Sequence, residues 1–276
     1  SKKKLSYTYS VEKVNGEVTE YTDPYAFANV TKPEDYKAFL AGEEKNAAHI
    51  FGAHERTVNG VKGVLFNVWA PKALSVSVVG EFNKYDGRVH LMERIEDTGV
   101  FELFIPGLAA GCGYMYEIKR QGKGTTRKLD PVSRQISSVP ITASVVSDEN
   151  MPDSYAWNDG LWMIKRKKEA GKKKPVTVYE VSLTDWLKEK SADELVDFVK
   201  QEGYTHVCFL PVAEYLNEEM NGYSTLGYFT VTHRIGGSDA FKKLVDDCHN
   251  AGIGVIIDWN GAYFGTEVKG LYDFDG

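Results

Sequence analysis

The sequence predicts a multidomain protein: an all-β, Ig-like sandwich followed by an α/β segment built on parallel strands. Three observations carry this. Residues 49–148 hold many short runs rich in Val, Ile, Phe and Tyr, separated by Gly, Pro, Asn and Asp. From Val176 onward the pattern turns to alternating strand and helix signals. The length of 276 residues corresponds to about two domains.

The elements follow in order. Residues 1–48 are mixed and polar and read as an N-terminal extension with one helix at "KPEDYKAFLAGEE". Pro33 suits its first turn and Gly42 its end. Next come "GVLFNVWAP", "LSVSVVGEF", "GVFELFIPG", "YMYEIKRQG" and "ITASVVS". Several alternate apolar and polar residues, as half-buried strands do, and many short strands at this spacing argue for an antiparallel sandwich. Trp69, Phe104 and Tyr116 are candidates for its core or inner face. Residues 149–175 form a connector whose second half, "KRKKEAGKKKP", is strongly basic. A solvated linker or exposed helix is the plain reading, and an anionic polymer the sharper one.

The α/β segment, 176–276, starts with the strand "VTVYEVSL". "SADELVDFVKQEG" reads as a helix, with Ser191 as N-cap, Glu194 three residues on and Gly203 at its end. "HVCFLPV" is a second strand. "SDAFKKLVDDCHNAG" is a second helix, capped by Ser238 and ended by Gly252. "IGVIIDW" is a third strand. Near-continuous apolar runs are what strands of a parallel sheet need when both faces are covered. "NEEMNGYSTLGYFTVTHRIGG" is a long excursion after the second strand, and long loops at that end of a sheet carry function.

Composition narrows the chemistry. Hydrophobic residues make up 42%, and no apolar run reaches the length of a membrane span. A net charge of −6 argues against a nucleic-acid partner. The three cysteines, Cys112, Cys208 and Cys248, form no CxxC, so a disulfide scaffold and a structural zinc are not expected; reduced thiols point to the cytoplasm. His206, His233 and His249 lack metal-ligand spacing, and no phosphate-cradling glycine loop or GxSxG elbow is present, so neither metal nor cofactor is expected.

The candidate site lies at the carboxyl ends of the strands, where parallel α/β sheets meet their ligands. Asp258 ends the third strand, in "DWNGAYF", and Glu180 and Glu214 fall near the ends of the first two. Three carboxylates around one mouth exceed what turns need, although Glu180 alone reads as a structural acceptor and Asp258 could cap a turn. Tyr223, Tyr228 and Phe229 lie in the excursion; aromatic rings suit the apolar faces of sugars, and a self-packed loop is the competing reading.

Taken as an ordered set, the motifs resemble the 1,4-alpha-glucan branching enzymes of the alpha-amylase superfamily. "FGAHE" before "VKGVLFNVWAP", then "VSVVGEFNKYDGRVHLME", "GVFELFIPG" and "KLDP", resemble the entry to and body of the family's carbohydrate-binding sandwich. "VYEVSLTDW", "GYTHVCFLPVAE" and "LVDDCHNAGIGVIIDW" resemble its first three TIM-type barrel strands, and "LYDFDG" its continuation. The resemblance implies an incomplete barrel of three βα units over 176–276. It also implies a retaining double displacement that cuts an alpha-1,4 glucan and transfers the segment to a 6-hydroxyl. The family's nucleophile and acid come from the fourth and fifth strands, which are not in this sequence, so no catalytic residue carries over.

The residues that match family substrate positions are Tyr223 and Asp258, with Trp259 and Tyr263 on the same rim and Tyr85 on the sandwich. There are departures. Tyr263 stands where the family has His, Ser182 where the first strand has His, and Asn260-Gly261 where it has Val-Pro. Glu214-Tyr215-Leu216 replaces Glu-His-Pro, Asn221-Gly222-Tyr223-Ser224 replaces Trp-Gly-Tyr-Gln, and Tyr85 replaces Trp. Three readings stay open: the N-terminal portion of a branching enzyme, inactive alone; a degenerate alpha-glucan-binding or scaffold protein; and a regulatory module binding glycogen and a protein partner. The expected ligand is an alpha-glucan such as glycogen or a maltooligosaccharide. An open three-stranded sheet also expects cover from a second copy of the chain or from the remainder of a barrel.

Overall fold

The computed structural model describes residues 7–137, 141–147, 155–266 and 268–276. It divides into two compact units, 1–150 with 273–276, and 151–272. The first residues of the basic connector, 149–154, lie outside the described residues.

The first unit is built on two antiparallel sheets. One has the order β3-β4-β7-β6, formed by Gly52–Val58, Val61–Trp69, Val100–Pro106 and Glu93–Ile95 respectively. The other runs β10-β11-β8-β5, formed by Ile136–Ser137, Ala143–Val145, Gly113–Arg120 and Ala73–Val79, with β9 (Gly124–Lys128) also paired to β8. The two-residue period of a strand decides which side chains meet between the sheets. Val64, Phe66 and Val68 of β4 and Phe101, Leu103 and Ile105 of β7 share one core with Val76, Val78, Tyr114, Tyr116 and Ile118.

The same period corrects one expectation and refines another. Trp69 stands one residue out of phase with Val68 and is 43% exposed, so it is not an inner-face residue. Phe104 is buried, but on the outer face, where Phe27 meets it edge to face at 4.8 Å. Tyr116 lies in the core as expected.

Phe27 belongs to an N-terminal extension that does more than lead in. It opens with a hairpin of β1 (Thr8–Glu12) and β2 (Val18–Thr22). A 3₁₀ turn at Pro33–Tyr36 then runs into the short helix α1 (Lys37–Leu40), with Gly42 beyond it in the left-handed region. Tyr36, Phe39 and Phe51 cluster over the outer sheet face with Ile95 and Val100. Buried Glu102 of β7 accepts the backbone N–H groups of Val30 at 2.6 Å and Thr31 at 3.2 Å, which satisfies both ends of an otherwise costly burial. Residues 273–276 also group with this unit: Arg120 pairs with Asp273 at 2.8 Å, and Phe274 packs against the core.

The second unit centres on a parallel sheet ordered β12-β13-β16, formed by Val178–Val181, His206–Phe209 and Gly254–Ile257. One face packs on helices α4 (Ala192–Gln201) and α5 (Gly237–Asn250), burying Val207, Phe209, Leu195, Val199, Phe241 and Leu244. The short helix α3 (Leu183–Trp186) lies between β12 and α4 in the chain. The capping box expected for α4 forms: Ser191 Oγ accepts the Glu194 N–H at 3.2 Å, and Glu194 accepts the Ser191 N–H at 2.7 Å. The cap expected for α5 does not. Its N-cap is Gly236, and Ser238 already lies inside the helix. Gly236 and Gly237 both have positive φ, so the chain makes its turn before it reaches Ser238.

The basic connector becomes helix α2 (Gly160–Glu169), with none of its residues fully buried. It is held to α5: Asp159 meets His249 at 2.7 Å, and the Trp162 and His249 rings stack at 5.0 Å. Among the described residues no helix is long and apolar enough to cross a membrane.

Candidate functional site

The excursion after β13 is an antiparallel hairpin, not a self-packed loop. Its strands are β14 (Ala213–Tyr215) and β15 (Thr225–Val231). It rises beside the carboxyl end of β16 and brings its aromatic residues to Asp258, the residue that follows that strand.

Tyr223 donates its phenol proton to Asp258 Oδ2. That bond to a carboxylate holds the proton in place and pushes the Tyr223 pKa up to about 12. The ring is positioned from behind. Gly222 has φ +85°, and a Cβ there would meet the Pro211 carbonyl oxygen at 2.8 Å, so the turn that delivers Tyr223 needs glycine. The Tyr223 N–H then donates to Met220 O at 2.8 Å.

Trp259 and Tyr263 share this rim, exposed at 62% and 56%. Tyr228 links them: its ring meets Trp259 edge to face at 5.6 Å, and its hydroxyl donates to the Tyr263 carbonyl at 3.1 Å. Asn260 accepts the Ala262 N–H at 2.9 Å, closing a local turn. Gly261 lets the Trp259 ring lie close, because a Cβ there would sit 2.9 Å from it. A cleft of about 180 Å³ is lined by Tyr228, Phe229, Asp258 and Trp259. Aromatic faces beside a hydrogen-bonded carboxylate make a surface that can stack on a sugar ring and hold its hydroxyls.

The three-carboxylate mouth does not form as expected. Glu214 is 3% exposed and lies in the hairpin, paired with Arg234 at 2.9 Å and beside His233 at 3.0 Å. A carboxylate this far from water must be satisfied by partners, and here a guanidinium and an imidazole are among them. Glu180 is exposed on the sheet face away from the helices rather than buried, opposite Cys208 in the register. The Cys208 thiol is raised by burial, with the charges of Glu180 and Asp258 adding to it. The histidines read as structural: His206 bonds Thr205 Oγ1 at 2.8 Å, and His249 bonds Asp159. Among the described residues no cluster of His, Cys, Asp or Glu could hold a metal ion.

Tyr85 belongs to the first unit. Lys84 and Tyr85 both have positive φ, at 54° and 59°. Arg127 donates to the Tyr85 carbonyl at 2.8 Å, with its guanidinium 5.8 Å from the ring. Tyr85 lines an open groove of about 670 Å³ with Phe82, Gln135, Ser137 and Ile141. Phe82 and Ile141 were not singled out from the sequence. Their only signal was membership of apolar strand-end runs, which does not distinguish a groove wall from a core.

Residues 50–133 match the family described as Carbohydrate-binding module 48 (Isoamylase N-terminal domain). The chain is 41% identical over 271 residues to the 1,4-alpha-glucan branching enzyme GlgB of Methylococcus capsulatus, covering 95% of this chain and 36% of that protein. It is 40% identical over 264 residues to the GlgB of Nitrosococcus oceani, covering 92% of this chain and 35% of that protein. Among solved structures, a Salmonella typhimurium protein described as an alpha amylase matches with a TM-score of 0.53 and 25% identity, over 75% of this chain and 32% of that one. The chain thus spans about a third of the length of the curated relatives it matches. Over nearly all of its residues the chain is similar to the 1,4-alpha-glucan branching enzymes, and part of it matches a carbohydrate-binding module.

Proposed function

We propose that this chain is the alpha-glucan-handling N-terminal portion of a 1,4-alpha-glucan branching enzyme, and that the second unit is the opening stretch of a TIM-type barrel. The observation that carries the reading is the Tyr223–Asp258 contact at the carboxyl end of a parallel sheet, inside an aromatic rim. In this reading Tyr223 and Asp258 hold sugar hydroxyls, and Trp259 and Tyr263 offer ring or edge contacts. The sandwich, read from the sequence as 49–148, offers the Tyr85 groove to a second stretch of glucan. The parent reaction would be alpha-1,4 to alpha-1,6 transfer by a retaining route, which needs two carboxyl groups about 5–5.5 Å apart across the bond. Asp258 supports one substrate contact and neither of those roles, so the chain alone binds and does not cut.

Two experiments test this. In native gels containing glycogen the chain should be retarded, and Tyr85→Ala should reduce the retardation. Amylose incubated with the chain should keep its iodine absorbance. Unretarded migration in the first, or a loss of colour abolished by Asp258→Asn in the second, would overturn the reading.

The uncovered side of the parallel sheet, with Ile256 40% exposed, calls for a shield. When the chain stands alone, a second copy fills that role, and light scattering of the purified chain should give a mass above that of one chain. A particular observation favours the second reading, a non-catalytic glucan-binding relative. Residues at the departed positions serve the protein itself: Ser182 Oγ accepts the Asp185 N–H at 3.3 Å, and Asn260 closes its own turn.

A further inference from the structure

The hairpin that carries the rim is irregular at two successive steps, the larger of them between Ala213 and Glu214. Ala213 of β14 faces Val231 of β15, but the next residue, Glu214, faces Gly227, and Tyr215 faces Thr225. One step along β14 is matched by four along β15, so Tyr228, Phe229 and Thr230 are left over as a wide bulge. Those are rim residues: Tyr228 holds Trp259 and the Tyr263 carbonyl, and Phe229 lines the cleft. In a regular ladder Glu214 would face Thr230, and the following side chains would be re-aimed.

Glu214 sits at the step, and the turn that follows β15 is tied to it. Its carboxylate accepts from Thr232 Oγ1 at 3.2 Å, the His233 N–H at 3.0 Å, His233 Nδ1 at 3.0 Å and Arg234 Nη1 at 2.9 Å. It also takes the Tyr215 N–H at 3.1 Å. Arg234 closes the other side. It donates to the Tyr215 carbonyl at 3.0 Å, lies 4.3 Å from the centre of the Tyr215 ring, and reaches Glu218 at 3.3 Å. Glu218 O in turn accepts the Asn221 N–H, in the turn whose next residues deliver Tyr223 to Asp258. The opposing residue, Gly227, has no side chain to compete for the space.

We propose that Glu214 and Arg234 act as a positioning pair for the glucan rim: they fix the bulge that presents Tyr228 and Phe229, and the turn that seats Tyr223 on Asp258. This rests on reading the rim as glucan-binding. Neither residue is placed against the sugar; both act through the tyrosines.

The test is ¹⁹F NMR of the full chain carrying 3-fluorotyrosine. The Tyr223 and Tyr228 resonances are assigned by their loss in Tyr223→Phe and Tyr228→Phe, and Asp258→Ala marks the position of Tyr223 without its partner. In Glu214→Gln both resonances should move, that of Tyr223 toward its place in Asp258→Ala. Ser191→Ala weakens a helix cap in the same unit and should leave both where they are. Arg234→Lys serves as the second variant, because a lysine cannot bridge Glu214, Glu218 and the Tyr215 carbonyl together; it too should move both. Wild-type positions in a folded Glu214→Gln overturn the proposal; if that variant does not fold, wild-type positions in Arg234→Lys do so. Titration of the wild-type chain with maltoheptaose separates the two claims. Shifts at Tyr223 and Tyr228 support the rim as the sugar surface. An unmoved spectrum overturns the pair's role in binding through failure of the rim reading, whatever the variants do.

Discussion

The sandwich and the parallel sheet solve the same problem to different degrees. Each strand of the sandwich's central pair buries one face in a shared core, and the face outside β7 is covered by the N-terminal extension through Phe27, Tyr36 and the Glu102 bonds. The parallel sheet is covered on the helix face only; Val178, Glu180 and Ile256 look outward on the other. A sheet that reads as apolar on both faces is therefore half covered in the second unit. The contrast separates residues that hold a core from residues that wait for one.

The largest effect should come from the closed side. Phe66 is fully buried in the sandwich, and Phe66→Ala should cost about 3–5 kcal/mol in urea unfolding. A cost below about 1 kcal/mol would mean that the two sheets do not share one core. Next is Asp130, which accepts the Tyr114 hydroxyl at 2.5 Å and the Tyr116 hydroxyl at 3.2 Å. Asp130→Ala strands the buried Tyr114 phenol and leaves Tyr116 only a long bond to the Asn67 carbonyl at 3.4 Å, and should cost about 2–4 kcal/mol.

Acid titration sharpens the comparison within the first unit. Burial holds Asp130 above the ordinary carboxylate range, against the opposing effect of its phenol bonds. A carboxyl raised on folding lends stability that is full below its unfolded value and is lost as pH rises through the folded one. Asp273 runs the other way: its bond to Lys123 holds it low, so its contribution is present above the ordinary range and is lost as pH falls through the folded value. Melting temperature against pH should lose the first dependence in Asp130→Asn and the second in Asp273→Asn.

A smaller effect belongs to the second unit. Ser191→Ala removes the cap of α4 and should cost about 1 kcal/mol, read as a lower urea midpoint with unchanged slope. Smallest of all is the bare face of a chain kept dilute enough to remain a single copy: there Ile256→Lys should change stability by no more than about 0.5 kcal/mol, whereas the same change at Phe66 would abolish folding. A large loss in Ile256→Lys would mean that this face is already packed.

Much of this was legible in the sequence because it is local. Short runs rich in Val, Leu and Phe such as "GVLFNVWAP" and "GVFELFIPG", bounded by Gly and Pro, give strands, and Ser191 with Glu194 gives a helix start, whatever surrounds them. What was not legible depends on partners distant in the chain. Trp69 continues an apolar run, and only the phase of Val68 against β7 shows that it points outward. Glu214 ends a strand-like run, and Arg234, twenty positions later, turns it from a mouth residue into a buried ion pair. At the rim, Tyr223 and Asp258 were found through motif order, whereas the bulge that frames them follows from a pairing register that no single segment encodes.

The return of residues 273–276 to the sandwich bears on the order in which the protein can be made. Asp273 meets Arg120 across 153 positions, and Phe274 packs against a core whose other members are all in place by Val146. A ribosome releases the sandwich strands, then the whole α/β unit, and only afterwards the segment that docks on the first. Nascent chains stalled before residue 273 should carry a formed sandwich with Arg120 still open to solvent, and the last gain in its resistance to protease should arrive only once Phe274 has left the tunnel.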